Sequence, residues 1–286
     1  MKGWGAKKVF GLLGHPVHHS PSPSMHSRLM AENGVDAVYL AFDVHPGRSR
    51  QIGSAIRTLG FGGVNLTRPF KETILTDLDE LAPSGREAQA VNVVLNRQGH
   101  LTGHNTDGEG FVRALEGEFG PSASKGSALI LGAGGTGRAV AAALAGRGAT
   151  RVVLLNRSLE KAKRAAGQLQ ELFPSIPFVV DELTPKTFLR LSESTDMIVN
   201  CTAAVAAPMV EAFDVSRLGP EAIWCDINYW MRRPPLLDAC RRRGLRVLDG
   251  LPMLAHQGAL SFELFTGRVV EPALIFQHLS SSGCRD

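Results

Sequence analysis

The chain has 286 residues, enough for two hydrophobic cores, and its 44% apolar and 20% charged content describes an ordinary soluble globular protein. Thirty-one Lys and Arg against 27 Asp and Glu leave a net charge of +4, a bias that a large anionic cofactor would suit. The densest basic run, Arg241, Arg242 and Arg243, has no aromatic residues interleaved with it and reads as a solvated helix end, so nucleic-acid binding is not expected.

From the N-terminus, short apolar runs alternate with helix-period segments, the pattern of an α/β protein with parallel strands. Strands are predicted at "KVFGLLG", "AVYLAF", "GGVNLT" and "AVNVVL", with helices near 23–33, 48–59 and 70–78. Between the first strand and the first helix lies "GHPVHHSPSPSMHS", with four histidines, four serines and three prolines in fourteen positions. A metal site, a linker and a rigid loop are the three possible readings. No cysteine or carboxylate accompanies His15, His18, His19 and His26, and the adjacent pair His18–His19 is not a chelating spacing, so no metal is expected. A linker is out of place between a buried-type strand and an amphipathic helix. A proline-stiffened loop presenting Ser20 and Ser22 remains.

In "GGVNLTRPFKE" a strand runs into Thr67 and Pro69 opens a helix, which places Lys71 in a first helical turn at a strand's C-terminal end. Open α/β sheets bind ligands there. The positive end of the helix disfavours a protonated lysine and, left unpaired, its pKa should fall, which suits proton exchange with a carbonyl or alcohol oxygen. Its candidate partner is Asp107 in "GHNTDGEG", where Asn105 or Thr106 can cap the next helix and keep a first-turn carboxylate ionised. A surface lysine and a plain helix-start aspartate fit the residue types equally well.

A second series follows this polar turn. "SALILGAGGTGRAVAAALAG" is strand, glycine turn and helix; "RVVLLNRSLEKAKRAAGQL" is the next strand and helix. Strands "PFVV", "DMIVN", "AIWCDI" and "LRVLDG" continue it, and helices near 251–266 and 271–281 either cap this domain or return to the first. Residues 132–137 match G-x-G-x-x-G in its required strand–turn–helix context, the arrangement that lets a pyrophosphate approach a helix N-terminus. The next strand ends in Asn156 and Arg157, with Lys161 one turn on and no carboxylate for a ribose hydroxyl. Those cations favour a 2′-phosphate, hence NADP(H), although Glu160 lies between them and both could be plain surface charges.

The four cysteines, Cys201, Cys225, Cys240 and Cys284, show no CxxC spacing, so neither structural zinc nor a disulfide framework is expected and a reducing cytoplasm fits. The apolar run Val9 to Leu13 is too short for a signal sequence, and no 18-residue apolar span predicts a membrane helix. No repeat or low-complexity tract occurs, and "SSSGCRD" looks like a frayed tail.

Eight segments in order carry a family resemblance: "GHPVHHSPSPSMH", "GVNLTRPFKE", "AVN" at 90–92, "GHNTDG", "GAGGTGRA", "NRS", "DINYW" and "GLPMLAHQGALSF". Together they resemble the shikimate dehydrogenases nearly end to end. The resemblance implies an N-terminal mixed-sheet α/β substrate domain, residues 1–105 completed by the C-terminal helices 251–286. It implies a Rossmann-type doubly wound NADP-binding domain over 106–250, with a hinge near 104–107 and 249–252. Lys71 and Asp107 would be the acid–base pair for reversible reduction of 3-dehydroshikimate to shikimate, in the pathway to aromatic amino acids. Ser20 and Ser22 would hold the substrate carboxylate, with Tyr229 near the same end, and Asn65, Thr67, Asn92 and Gln257 would line the polyol. The cofactor would lie against Gly132, Ala133, Gly134, Gly135, Thr136, Asn156, Arg157, Ser158, Lys161, Thr202 and Gly250. The partners implied are this small-molecule substrate, with no nucleic acid and no membrane, in a monomer or homodimer.

The chain departs from the pattern at Arg68, where an apolar residue is more usual, and at Val93, where a threonine hydroxyl is lost. It also departs at "AAVAAPM" after Thr202, at Met231 in place of a proline and at Pro234 in place of a threonine. These bear on the substrate more than on the reaction class, so a quinate, dual quinate/shikimate or aminoshikimate dehydrogenase is the alternative. A non-catalytic regulatory homologue is more remote, since a pure binder has little need of both Lys71 and Asp107.

Overall fold

The computed structural model describes residues 7–202, 209, 211–229 and 234–281. The departures at Ala203–Ala207 and Met231, and the tail with Cys284, lie outside the described residues. Two compact units emerge. One holds the chain up to Asp107 together with the helical stretch from Ala255, and the other holds Gly108–Leu254.

The first unit is built on six strands: β1 (Lys8–Gly14), β2 (Ala37–Asp43), β3 (Gly63–Leu66), β4 (Glu80–Leu81), β5 (Val93–Arg97) and β6 (His100–His104). They form one mixed sheet in the order β2-β1-β3-β5-β6-β4. β1 is flanked by parallel neighbours on both sides, which is why its run Phe10, Leu12 and Leu13 is buried on both faces. β5 then pairs antiparallel with β3 and with β6. Neither β4 nor β6 was expected from the sequence. β6 pairs through a hairpin whose turn uses left-handed Gln98 and Gly99, and it buries only Leu101 and Gly103, too few apolar positions to stand out in a linear pattern.

Helix α1 (Ser22–Glu32) follows the proline loop. The expected helix at 48–59 is divided into a 3-10 turn, Pro46–Gln51, and α2 (Ile52–Thr58). The one at 70–78 is likewise divided into α3 (Phe70–Thr73) and a 3-10 turn, Ile74–Asp77. These short pieces fit together: Asp77 Oδ2 accepts the backbone N–H of Gly53 at 3.1 Å, satisfying a donor that the start of α2 leaves open. Helix α4 (Pro83–Ala88) precedes β5. Leu13, Ile56, Val64, Leu66, Phe70 and Val94 belong to one core cluster. Helix Gly250–Thr266, from Ala255 on, and helix Pro272–Ser281 complete this unit, contributing the fully buried Phe262 and Ile275.

The second unit is a parallel sheet of β7 (Ser127–Leu131), β8 (Arg151–Asn156), β9 (Phe178–Glu182), β10 (Met197–Asn200), β11 (Ile223–Asp226) and β12 (Arg246–Leu248). Its order, β12-β11-β10-β7-β8-β9, reverses between β7 and β10, the doubly wound Rossmann topology with its switch point there. Helices α5 (Asp107–Phe119), α6 (Gly135–Gly146), α7 (Leu159–Leu172), α8 (Pro185–Ser192) and the helix Pro235–Arg242 alternate with these strands. Every residue of β10 and β11 is buried, as parallel strands covered on both faces require. Among the described residues no helix is long and apolar enough to cross a membrane.

Candidate functional site

Strand direction gathers the polar side chains of the first unit at one edge of its sheet. β1 and β3 end there, and so does β6, whereas the antiparallel β5 begins there: Asn65 pairs with Val93, and Val93 with His104. The segments beyond these ends carry Ser20, Ser22, Thr67, Lys71, Asn92 and Asp107. Backbone bonds tie the two loops after β1 and β3 together, from Thr67 N–H to the Leu13 carbonyl and from His15 N–H to the Arg68 carbonyl, each at 2.9 Å.

Lys71 stands in the single turn of α3, and its Nζ lies 2.5 Å from Asp107 Oδ2. The aspartate is buried at the start of α5 and is held from three sides. Its backbone N–H donates to Asn105 Oδ1 at 2.9 Å, and its Oδ1 accepts from Asn92 Nδ2 at 2.8 Å. Asn105 is anchored in turn by donating to the Ala90 carbonyl at 2.9 Å. The lysine at this helix start and its candidate partner thus form an ion pair, and the burial of the carboxylate makes the two charges depend on each other.

Asn92 is oriented by the backbone: its Oδ1 accepts Thr106 N–H at 2.8 Å and its Nδ2 also donates to Thr106 Oγ1 at 2.9 Å. Asn65 meets the same cluster through the Asn92 carbonyl at 3.2 Å. Thr67 is half-buried beside Gly14, where a Cβ would overlap its methyl group. Ser20 Oγ donates to Ser22 Oγ at 3.2 Å and also accepts Ser22 N–H at 3.3 Å, so the two hydroxyls share one spot at the head of α1. Gln257 is half-buried in the same unit. Tyr229 belongs to the second unit, where Gly250 packs so closely that an added Cβ would lie 3.1 Å from the Tyr229 nitrogen.

The histidines of the serine loop scatter. His15 bonds Asp43 Oδ1 at 2.6 Å, His18 and His19 are exposed, and His26 is buried against Tyr39. Among the described residues no group of three or more His, Cys, Asp or Glu could hold a metal ion. Arg68 is exposed, and Val93 is fully buried in the sheet.

In the second unit the glycine turn follows β7 at the switch point. Gly132 has φ +100°, open to glycine without strain, and a Cβ there would sit 3.0 Å from the Cys201 carbonyl oxygen. A Cβ on Gly137 would collide with the Gly132 carbonyl. Gly134 caps α6 without a side-chain cap hydrogen bond, and Gly135 and Thr136 lie in its first turn, an arrangement that suits a phosphate at the helix N-terminus. These features fit a dinucleotide. Asn156 Oδ1 accepts Ala133 N–H at 3.1 Å and its Nδ2 donates to the Ser158 carbonyl at 2.9 Å, so its amide braces the glycine turn against the next loop. Ser158 caps α7 by accepting Lys161 N–H at 3.3 Å. Arg157 is exposed, and Glu160 bonds Lys163 at 2.9 Å.

Beside the expected Thr202 stand further polar residues that were not singled out from the sequence. Thr202 donates through Oγ1 to Asn200 Oδ1 at 2.7 Å, and Asn200 donates to Asp226 Oδ2 at 2.9 Å. Asp226 also accepts from Asn228, and burial pushes its carboxyl above the ordinary range. In the first unit Ser261 and Tyr39, both buried, bond Asn65. Ser261 stands four residues after Gln257 on the same helix face, and both lie in the segment "GLPMLAHQGALSF".

A glycine turn at the switch point of a doubly wound sheet, with a half-buried lysine paired to a buried aspartate in a separate mixed-sheet unit, defines the class of dinucleotide-dependent oxidoreductases. Three family models match along the chain: Shikimate dehydrogenase substrate binding domain at 12–94, Shikimate / quinate 5-dehydrogenase at 115–228 and Shikimate 5′-dehydrogenase C-terminal domain at 250–275. The chain belongs to the shikimate dehydrogenase family, oxidoreductases acting on a CH–OH group. A Moorella thermoacetica shikimate dehydrogenase (NADP(+)) is 42% identical over 273 residues, 93% of this chain and 90% of the relative. The Symbiobacterium thermophilum enzyme of the same name is 40% identical over 268 residues, 92% and 90%. Thermus thermophilus shikimate 5-dehydrogenase, solved with NADP(H) and shikimate, superposes with TM-score 0.78 at 35% identity, covering 96% of this chain and 99% of its own. Quinate dehydrogenase of Corynebacterium glutamicum, solved with NAD, superposes with TM-score 0.84 at 30% identity over 96% and 99%.

Proposed function

We propose that the chain is a cytoplasmic NADP-dependent shikimate dehydrogenase, reversibly reducing 3-dehydroshikimate to shikimate on the route to aromatic amino acids. The observation that carries this reading is the 2.5 Å contact between Lys71 Nζ and Asp107 Oδ2 at the edge where the sheet of the first unit gathers its polar groups. The first unit is the substrate domain and the second the NADP domain.

Bound NADPH supplies the hydride for the ring ketone. Lys71 donates a proton to the ketone oxygen as charge develops there, and takes it back when shikimate is oxidised. Asp107, bonded by Asn92 and placed at a helix start, orients Lys71 and balances its charge. Ser20 and Ser22 hold the carboxylate, with Tyr229 near that end, while Asn65, Thr67, Asn92 and Gln257 line the hydroxyls. Arg157 and Lys161 receive the cofactor's 2′-phosphate, and Gly132, Ala133, Gly134, Gly135, Thr136, Ser158, Thr202 and Gly250 form the rest of its cradle. Fixing both reactants in one geometry is the larger part of the protein's contribution.

The likeness to a quinate dehydrogenase solved with NAD supports a second reading, quinate or dual specificity. Arg157, with no carboxylate adjacent to it in sequence at the end of β8, argues for NADP and hence for shikimate. Purified protein assayed with shikimate and quinate, each with NADP⁺ and NAD⁺, separates the two by nicotinamide absorbance. Fastest turnover with shikimate and NADP⁺ is expected; no turnover in any combination removes the enzyme reading.

A further inference from the structure

Asn65, proposed above to line the substrate hydroxyls, has both amide protons engaged among the described residues. Its Nδ2 donates to the Asn92 carbonyl at 3.2 Å and to Ser261 Oγ at 3.1 Å, and its Oδ1 accepts from the Tyr39 hydroxyl at 2.7 Å. A carboxamide has two N–H donors and an oxygen with two lone pairs, so among the described residues one acceptor site on Oδ1 is all that remains. The orientation follows from the partners: exchanging O and N would set two acceptors, Oδ1 and the Asn92 carbonyl, against each other.

Ser261 enforces this direction. Its single proton goes to the Gln257 carbonyl at 2.9 Å, so Thr106 Oγ1, 3.2 Å away, donates to it. The Ser261 oxygen therefore receives protons from both Asn65 and Thr106 and returns none. Tyr39 is equally fixed. The His26 ring stacks on it at 4.5 Å and 17°, and burial keeps the phenol protonated by raising its pKa well above the ordinary value. Asn92 repeats the pattern, with both Nδ2 protons on Thr106 and Asp107.

We propose that Tyr39 and Ser261 are positioning residues that hold the Asn65 carboxamide so that it meets the substrate as an acceptor only, and the group opposite it must donate. A hydroxyl or an ammonium satisfies that demand; an ether, a ketone or a fluorine does not. The substrate's identity rests on the shikimate reading above, whereas the orientation of Asn65 belongs to the chain itself.

Two measurements on the full chain test this separately. In side-chain amide NMR spectra, with the Asn65 pair identified by its loss in Asn65→Asp, Ser261→Ala should move one Asn65 proton upfield and speed its exchange. Identical Asn65 resonances and exchange in wild type and Ser261→Ala would overturn the proposal, whatever the substrate. In steady-state assays, Ser261→Ala and the milder Tyr39→Phe, which keeps the ring on His26, should each raise KM for shikimate about tenfold, the effect of one misdirected hydrogen bond. KM for NADP⁺ and kcat should stay within about twofold of wild type on the same scale. Equal rises in both KM values, or none in either variant, count against it. A wild-type protein inactive on shikimate removes the functional reading while the amide protons still decide the orientation of Asn65.

Discussion

Asn92 donates to Oδ1 of Asp107 at 2.8 Å while Lys71 takes Oδ2, so the two oxygens of one buried carboxylate are divided between a positioning amide and the proposed proton donor. Asn92 comes from the start of β5, Asp107 from the start of α5 and Lys71 from the one-turn helix after β3. The division keeps one oxygen always aimed at the lysine. It is a consequence of an antiparallel strand beginning where a parallel strand ends.

Lys71→Ala removes the proton donor and should lower kcat by roughly two to four orders of magnitude, the range for loss of a general acid–base group. Asp107→Asn, nearly the same shape, should also lower kcat with the fold intact. The steady-state rate with saturating shikimate and NADP⁺ checks both, and a tenfold loss or less for Lys71→Ala would place the chemistry elsewhere.

Asn105→Ala strips an acceptor from the Asp107 N–H and a donor from the Ala90 carbonyl, both buried. The expected cost is about 1–3 kcal/mol of unfolding free energy, the penalty for buried polar groups left unpaired. Urea denaturation measures it, and a variant as stable as wild type would mean these bonds are replaced by water.

Arg157→Ala and Gly137→Ala separate phosphate recognition from turn geometry. Losing a charge-assisted contact to the 2′-phosphate should raise KM for NADP⁺ by about ten- to a hundredfold and leave KM for NAD⁺ nearly unchanged. A methyl group on Gly137 collides with the Gly132 carbonyl and reshapes the turn both cofactors share, so both KM values should rise together. Cofactor titrations of the two variants side by side make the comparison, and a selective NADP⁺ effect from Gly137→Ala would contradict it.

His26 is buried with its pKa pushed down to about 3 by burial, against 6.5 when solvated. Between those values the unfolded chain binds a proton that the folded chain refuses, so stability is present above the unfolded pKa and is lost as pH falls from about 6.5 towards 3. His26→Phe, which keeps a ring on Tyr39, should flatten the decline in unfolding free energy over that window. Parallel slopes for wild type and variant would assign the acid loss to other groups.

Much of this protein was legible in its sequence because the signals were local. A glycine turn between a strand and a helix, a proline at a helix start and an asparagine two residues before an aspartate each dictate a backbone conformation without reference to anything distant. So the glycine turn after β7, the first-turn setting of Lys71 and the Asn105–Asp107 helix start follow from short stretches of chain. The two-residue β4 and the hairpin strand β6 were hidden, since strands burying so few side chains leave almost no apolar alternation.

What only the tertiary structure decided is which polar groups answer one another. Ser261 lies 196 residues from Asn65, and neither side chain signals the other until the helix that carries Ser261 packs on the sheet. Asn156, expected as a cofactor contact, braces the glycine turn, because β8 lies beside β7 and brings its amide to Ala133 N–H. Hydrogen-bond direction is a property of the assembled network, in which each proton has a single acceptor. The sequence by itself determined which chemistry was available, and the packing of distant segments determined which way each donor points.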